Sequence, residues 1–229
     1  MTEHQAEGPS VPQAGVRNPP ARASADRLRA LKRPDLDGTP VDAADVLLGA
    51  VLERVGTPRL QVRVVEVEAY GPDDPASHAF RGPTPRCASM FAPSGIAYVY
   101  RSYGIHWCLN VSVGGVDVGA AVLLRAAVVL SGDDEVARRR PGVSHAALLR
   151  GPGCLTRGLG IDGALDGCDL LDGEHGWRLR TDGRAWPSVT GPRVGVSDAA
   201  DRPWRRYLAG CNAVSRYRRS PRAKRSGGA

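Results

Sequence analysis

Two carboxylates and a phenol recur at every second position of one short stretch, Val62-Arg63-Val64-Val65-Glu66-Val67-Glu68-Ala69-Tyr70. The valines are branched at Cβ and suit a pleated surface, so the stretch reads as a β-strand. Strand side chains alternate between faces. Val65, Val67 and Ala69 then share a core face, and Glu66, Glu68 and Tyr70 share the opposite one. A core does not accept carboxylates without partners. Two readings follow. The strand is half-buried with a solvated acidic face, or Glu68 and Tyr70 line a cleft, with the carboxylate as a base and the ring as a platform.

Further groups with chemical potential lie downstream. A loop opened by Gly71-Pro72-Asp73-Asp74-Pro75 carries His78, Arg81, Thr84-Pro85-Arg86 and Met90-Phe91. It is long and aperiodic, as functional loops often are. Ala97 to Arg101 and His106 to Val113 read as two strands joined by a short glycine-containing turn, a hairpin pattern. Tyr98 and Tyr100 alternate on its first arm. On the second arm His106, Cys108, Asn110 and Ser112 form a polar face opposite Trp107, Leu109, Val111 and Val113. Tyr103 falls at the tip, where it either meets something to stack on or folds back on its own sheet. Arg125 interrupts an apolar strand from Val118 to Val129 and needs an anion, for which Glu66, Glu68 or a phosphate would serve. A carboxylate, several tyrosines, a histidine and an asparagine on adjoining elements suit a pocket for a flat, electron-poor ring, with an activated water.

The elements that must position these groups are legible in outline. Met1 to about Ala25 is rich in Pro, Ala, Gln, Gly and Ser and is expected to be disordered. Asp26 to Lys32 is expected as a short helical turn. Asp42 to Val55 reads as a helix capped by Asp42, with Val46, Leu47, Ala50, Val51 and Val55 at helical spacing and Gly56-Thr57-Pro58 as its stop. Asp133 to Arg140 reads as a second helix, capped by Ser131 or Asp133. Leu148 to Thr156 reads as a loop entering a short helix, whose glycines could offer N–H groups to a phosphate. Leu170 to Arg180 and Arg193 to Val196 are strand candidates, and Ala199 to Tyr207 is basic with Trp204 and Tyr207 as anchors.

With 229 residues, 42% hydrophobic and 24% charged, the chain has the make-up of one globular domain with a sizeable core. It has no apolar run long enough to span a membrane and no secretory leader pattern, so no membrane partner is expected. Five cysteines without C-x-x-C spacing argue against a disulfide framework and a cysteine zinc site, and a reducing cytoplasm is the simplest compartment. The five histidines form no H-x-x-x-H pair, so no metal site is expected. Nucleotide-binding glycine loops, the G-x-S-x-G elbow and the zinc-deaminase signature are all absent. The net charge of +7 is concentrated between Arg216 and Arg225, leaving the body near neutrality.

Taken in order, these segments closely resemble the alkyladenine (3-methyladenine) DNA glycosylase family. The match runs through Val64 to Tyr70, His78, Arg81-Gly82-Pro83-Thr84-Pro85-Arg86, Met90-Phe91, Tyr98-Val99-Tyr100, Tyr103 to Val111 and Val122 to Ala126. It continues in Arg150-Gly151-Pro152-Gly153 and Pro192 to Val196, and covers about residues 32 to 210. The resemblance implies an α+β fold: a single domain with a curved, mainly antiparallel β-sheet flanked by helices and a protruding β-hairpin. It implies residues 31–213 as the glycosylase domain, between a disordered segment 1–30 and a basic disordered tail 214–229. It also implies a monofunctional enzyme of base excision repair that flips damaged purines from double-stranded DNA and cuts their glycosidic bond with water. Alkylated purines such as 3-methyladenine are the implied substrates, with hypoxanthine or ethenoadenine as further candidates. By position, Glu68 corresponds to the general base and Arg125 to an arginine beside the base and its water. Tyr70, His78 and Tyr100 correspond to the stacking pocket. Asn110 corresponds to a pocket-floor residue that penalises the exocyclic amine of guanine, and Tyr103 to the residue that fills the gap left by the flipped nucleotide. No cofactor is implied, and a cytoplasmic monomer used at the nucleoid is expected. No lysine lies between Lys32 and Lys224, so a Schiff-base step has no lysine in the body. Cys87 and Arg101-Ser102 depart from the family pattern, at the pocket loop and the hairpin. The tail is expected to add salt-sensitive affinity for nucleic acid.

Overall fold

A computed structural model describes residues 28–223. In chain order its strands are β1 (Arg29–Ala30), β2 (Val51–Arg54), β3 (Leu60–Tyr70), β4 (Ala97–Ser102), β5 (His106–Val113), β6 (Ala120–Ser131), β7 (Trp177–Thr181), β8 (Ser188–Gly191) and β9 (Arg205–Leu208). The α-helices are α1 (Pro40–Leu47), α2 (Asp133–Arg139) and α3 (Pro152–Leu159). The strands form one antiparallel sheet in the order β1-β7-β2-β3-β6-β5-β4, and β9 pairs with both β3 and β8. This is an α+β domain, as expected. Among the described residues no helix is long and apolar enough to cross a membrane.

β3 is the spine of the sheet. β6 runs along one side of it, while β2 covers the start of its other side and β9 the end. Ten of its eleven residues are buried as a result. The alternation of Glu66, Glu68 and Tyr70 is retained, since Arg125 bridges Glu66 and Glu68 and Tyr70 bonds Glu68, but their face is not solvated: Glu66 and Glu68 are both fully buried. Helices α1 and α3 pack on the sheet against β3, β5 and β6.

Three local expectations are corrected. The helix expected from Asp42 to Val55 ends at Leu47, and its second half is β2. Its N-cap is Thr39, whose hydroxyl accepts from the Asp42 N–H while the Asp42 carboxylate accepts from the Thr39 N–H. Gly49 takes φ +86°, and a Cβ there would strike Trp186 at 2.2 Å, so the chain turns at this glycine. Beyond it, Val51 and Leu52 satisfy a strand as well as a helix, and pairing with β3 and β7 decides between them. The turn expected from Asp26 to Lys32 contains β1 instead, paired to β7, with Asp26 and Arg27 outside the described residues. Arg193 to Val196 is a loop rather than a strand, and β8 precedes it. The remaining shifts are smaller. The strand expected within Leu170 to Arg180 is confined to β7, and α2 starts after Gly132. Of the segment 1–30 expected to be disordered, residues 1–27 lie outside the described residues and Arg29–Ala30 form β1, and the tail beyond 223 also lies outside them. Within the expected tail, Ser215 donates to Glu66 and the Arg218 carbonyl accepts from the Gly195 N–H.

Candidate active site

The floor of the site is a buried charge network made by two offset β-bulges. Val64 pairs with Ala127 and Glu66 with Ala126, so β3 carries one extra residue, Val65. Glu66 then pairs with Ala126 and Val67 with Leu124, so β6 carries one extra residue, Arg125. Bulges re-aim side chains out of the regular pleat. Here Arg125 donates through Nε to Glu66 at 3.0 Å and through Nη1 to Glu68 at 3.1 Å. Glu68 also accepts from the Tyr70 hydroxyl at 2.9 Å and, on Oε1, from the Val194 N–H at 2.6 Å. An ionised carboxylate has about four acceptor sites. Among the described residues three donors reach Glu68, two on Oε2 and one on Oε1, so Oε1 retains capacity for one more donor.

Burial alone would discharge Arg125, but the carboxylates of Glu68 and Glu66 more than offset it and hold its pKa above the ordinary arginine value. Burial, reinforced by the Glu68 carboxylate, pushes the Tyr70 phenol well up, so Tyr70 remains a donor to Glu68 at every ordinary pH. Arg193 secures Tyr70 from behind. It is 1% exposed, pairs with Asp74, donates to the Ala69 carbonyl at 3.0 Å and lies 4.6 Å from the Tyr70 ring centroid.

In front of this floor is a cleft of about 770 Å³ lined by Tyr70, His78, Tyr100, Asn110 and Arg125, among others. That volume lies within the usual range for small-molecule sites. Glu68 sits directly behind Tyr70 and Arg125. Tyr98 and Tyr100 point to the same face and stack at 5.4 Å. The His78 ring meets Tyr100 edge-on at 4.6 Å and shares a 2.7 Å hydrogen bond between Nδ1 and the Tyr98 hydroxyl. Burial and the Arg86 charge lower the His78 pKa, leaving the imidazole neutral at neutral pH. Asn110 is held by its own amide, whose Nδ2 donates to the carbonyls of Tyr98 at 3.0 Å and Cys108 at 3.4 Å. The two positions that depart from the family pattern differ in environment. Cys87 is buried against Thr84, whereas Arg101 is exposed beside Trp107.

The β4–β5 hairpin ends beside the cleft mouth. Tyr103 and Gly104 occupy its tip with φ of +50° and +69°, and the Ile105 N–H closes the turn on the Ser102 carbonyl at 3.0 Å. Two successive positive φ values mark a primed turn, whose twist matches the flanking strands. Tyr103 does not fold back on the sheet: it is 91% exposed, and Ile105 is 69% exposed.

The seven residues singled out by sequence therefore converge on one cleft, its floor and its rim. Arg125 takes both candidate carboxylates as its partners. Sequence reasoning did not single out Arg193, Val194, Arg205 or Ser215. Arg205 and Ser215 bind Glu66 across roughly 140 to 150 residues of chain, a pairing that no local pattern announces.

The family model described as methylpurine-DNA glycosylase matches residues 35–212. A protein of Mycobacterium sp. (strain KMS) is 53% identical over 196 residues, covering 82% of this chain and 94% of the relative. One of Rhodococcus jostii (strain RHA1) is 52% identical over 192 residues, covering 80% and 84%. One of Frankia casuarinae is 48% identical over 188 residues, covering 75% and 85%. All three carry 3-methyladenine DNA glycosylase as a provisional name. A match across most of the domain, on a chain whose cleft unites an acid, an arginine and an aromatic wall, places it in the methylpurine-DNA glycosylase family.

Proposed function

We propose that this DNA glycosylase removes alkylated purines from duplex DNA by flipping the nucleotide into the cleft and hydrolysing its glycosidic bond with a water activated by Glu68. The observation that carries the reading is Glu68 itself. It is a fully buried carboxylate that accepts hydrogen bonds from Arg125, Tyr70 and the Val194 N–H, immediately behind an aromatic cleft.

A base inside a duplex is beyond the reach of any side chain, so extrusion comes first, at about a few kcal/mol. Tyr103 at the hairpin tip fills the vacated stack and offsets part of that cost. The extruded ring lies between Tyr70 on one side and His78 and Tyr100 on the other. A 3-alkylated adenine is cationic, and aromatic faces favour it by about 1–2 kcal/mol when desolvated. The remaining acceptor capacity of Glu68 Oε1 takes a water O–H. Water oxygen bonds to C1′ as the C1′–N bond breaks, the base leaves with the bond's electron pair, and Glu68 takes the water proton. The same carboxylate stabilises the positive charge that develops on the sugar. Asn110, its amide nitrogen committed to backbone carbonyls, is the residue that rejects guanine's exocyclic amine.

The test is a set of duplexes each carrying one 3-methyladenine, hypoxanthine or ethenoadenine, scored for abasic sites. Abasic product from at least the alkylated purine is expected. Tight lesion binding without abasic product from any duplex would establish a damage-binding module instead.

A further inference from the structure

We infer that residues 214–218, just beyond the stretch matched by the family model, form a strap that positions the carboxylates, with Ser215 as its positioning residue. The inference rests on the glycosylase reading above. Ser215 is engaged on every polar atom. Its N–H donates to Glu66 Oε2 and its hydroxyl to Glu66 Oε1, both at 2.8 Å. Its hydroxyl accepts from Arg125 Nη2 at 3.4 Å and its carbonyl from Arg205 Nη2 at 2.8 Å. Arg205 in turn donates to Glu66 through Nε at 2.8 Å. Arg125, held on this side, presents Nη1 to Glu68.

A second route runs along the cleft wall. The Gly195 N–H donates to the Arg218 carbonyl at 2.9 Å. Its neighbour Val194 supplies the N–H on Glu68 Oε1, and Val194 to Val196 line the cleft. Residues 215 and 218 thus grip Glu68 from two directions, one through Glu66 and Arg125 and the other through the 194–195 backbone. Val214 anchors the strap against the core. A base displaced by even about 1 Å loses on the order of a hundredfold in rate, so three residues at the start of a basic tail can govern the chemistry without touching substrate.

The test compares the full chain, Ser215→Ala, Ser215→Thr and a truncation after Ala213, in single-turnover base release at saturating enzyme. Saturation removes any contribution of tail charge to DNA affinity. The truncation is expected to slow release about tenfold or more. Ser215→Ala is expected to slow it about three- to tenfold, with Ser215→Thr restoring most of the rate. Ser215→Ala removes the hydroxyl that accepts from Arg125 Nη2. A less firmly held Arg125 supports the Glu68 carboxylate less, so the acid limb of the pH–rate profile should move to higher pH in Ser215→Ala. An unchanged rate and an unchanged acid limb in that variant would overturn the strap, even if the truncated chain does not fold. Should the full chain release no base from any lesion, the glycosylase reading fails by itself. The Arg125 Nε–H signal in NMR then decides the strap, with faster exchange in Ser215→Ala supporting it and unchanged exchange overturning it.

Discussion

The floor of the cleft and the tip of the hairpin are both made of side chains that a folding chain would ordinarily place the other way round. Glu66, Glu68, Arg125 and Arg205 are charged and buried, whereas Tyr103 and Ile105 are apolar or aromatic and exposed. The floor is over-determined. Among the described residues Glu66 accepts from four donors and Glu68 from three, so neither carboxylate can move without breaking several charge-assisted bonds. Among the described residues the tip is closed by its turn bond, the Ile105 N–H on the Ser102 carbonyl. On the mechanism proposed above, the chemistry requires a group fixed in place, and insertion into a duplex requires one left unsatisfied until its partner arrives.

That contrast can be broken by substitution. Glu68→Gln should lower single-turnover base release by about a hundredfold or more while leaving lesion-duplex affinity intact, and equal activity would sink the mechanism. Arg125→Met leaves Glu66 and Glu68 without their shared guanidinium. It should cost about 3–5 kcal/mol in urea unfolding, because buried charges lose their partner. Tyr103→Ala should leave stability within about 0.5 kcal/mol, as an exposed residue. It should weaken lesion binding by about 1–3 kcal/mol, the scale of one base–aromatic stack, measured by titration of a lesion duplex. If Tyr103→Ala instead destabilised the fold, the distinction between floor and tip would be wrong.

Two smaller effects sharpen it. Replacing Arg216, Arg218 and Arg222 with serine keeps the strap backbone and removes charge. The slope of log affinity against log salt should fall by about one for each phosphate no longer neutralised, and an unchanged slope would remove the tail from DNA binding. His78 contributes to stability with a definite sign. Its pKa in the folded protein is lowered by burial and by Arg86. Between that lowered value and the unfolded value of about 6.5, the unfolded chain binds more protons, so stability rises with pH across this window. The contribution is complete above the unfolded value and is lost as pH falls through the window. His78→Gln should flatten that part of the stability–pH curve, read from urea midpoints.

Much of this was legible in the residues. The period-two pattern of β3 identified the face shared by Glu66, Glu68 and Tyr70, and the alternation of β4 and β5 identified Tyr98, Tyr100 and Asn110. Those patterns are local, set by backbone geometry that every strand shares. The helix expected to run through Val55 failed where local preference was divided, since Ala50, Val51 and Leu52 suit either element and their partners lie on other strands.

The sequence by itself determined which residues could do chemistry, the order of the elements that carry them and the family to which they belong. Tertiary structure alone decided that the acidic face is buried, that Arg125 bridges both carboxylates, that Tyr103 stands free, and that Ser215 reaches back to Glu66. The physical reason is distance along the chain. Alternation and turn chemistry act over a few residues, whereas partners 57 to 149 positions apart meet only once the sheet has formed.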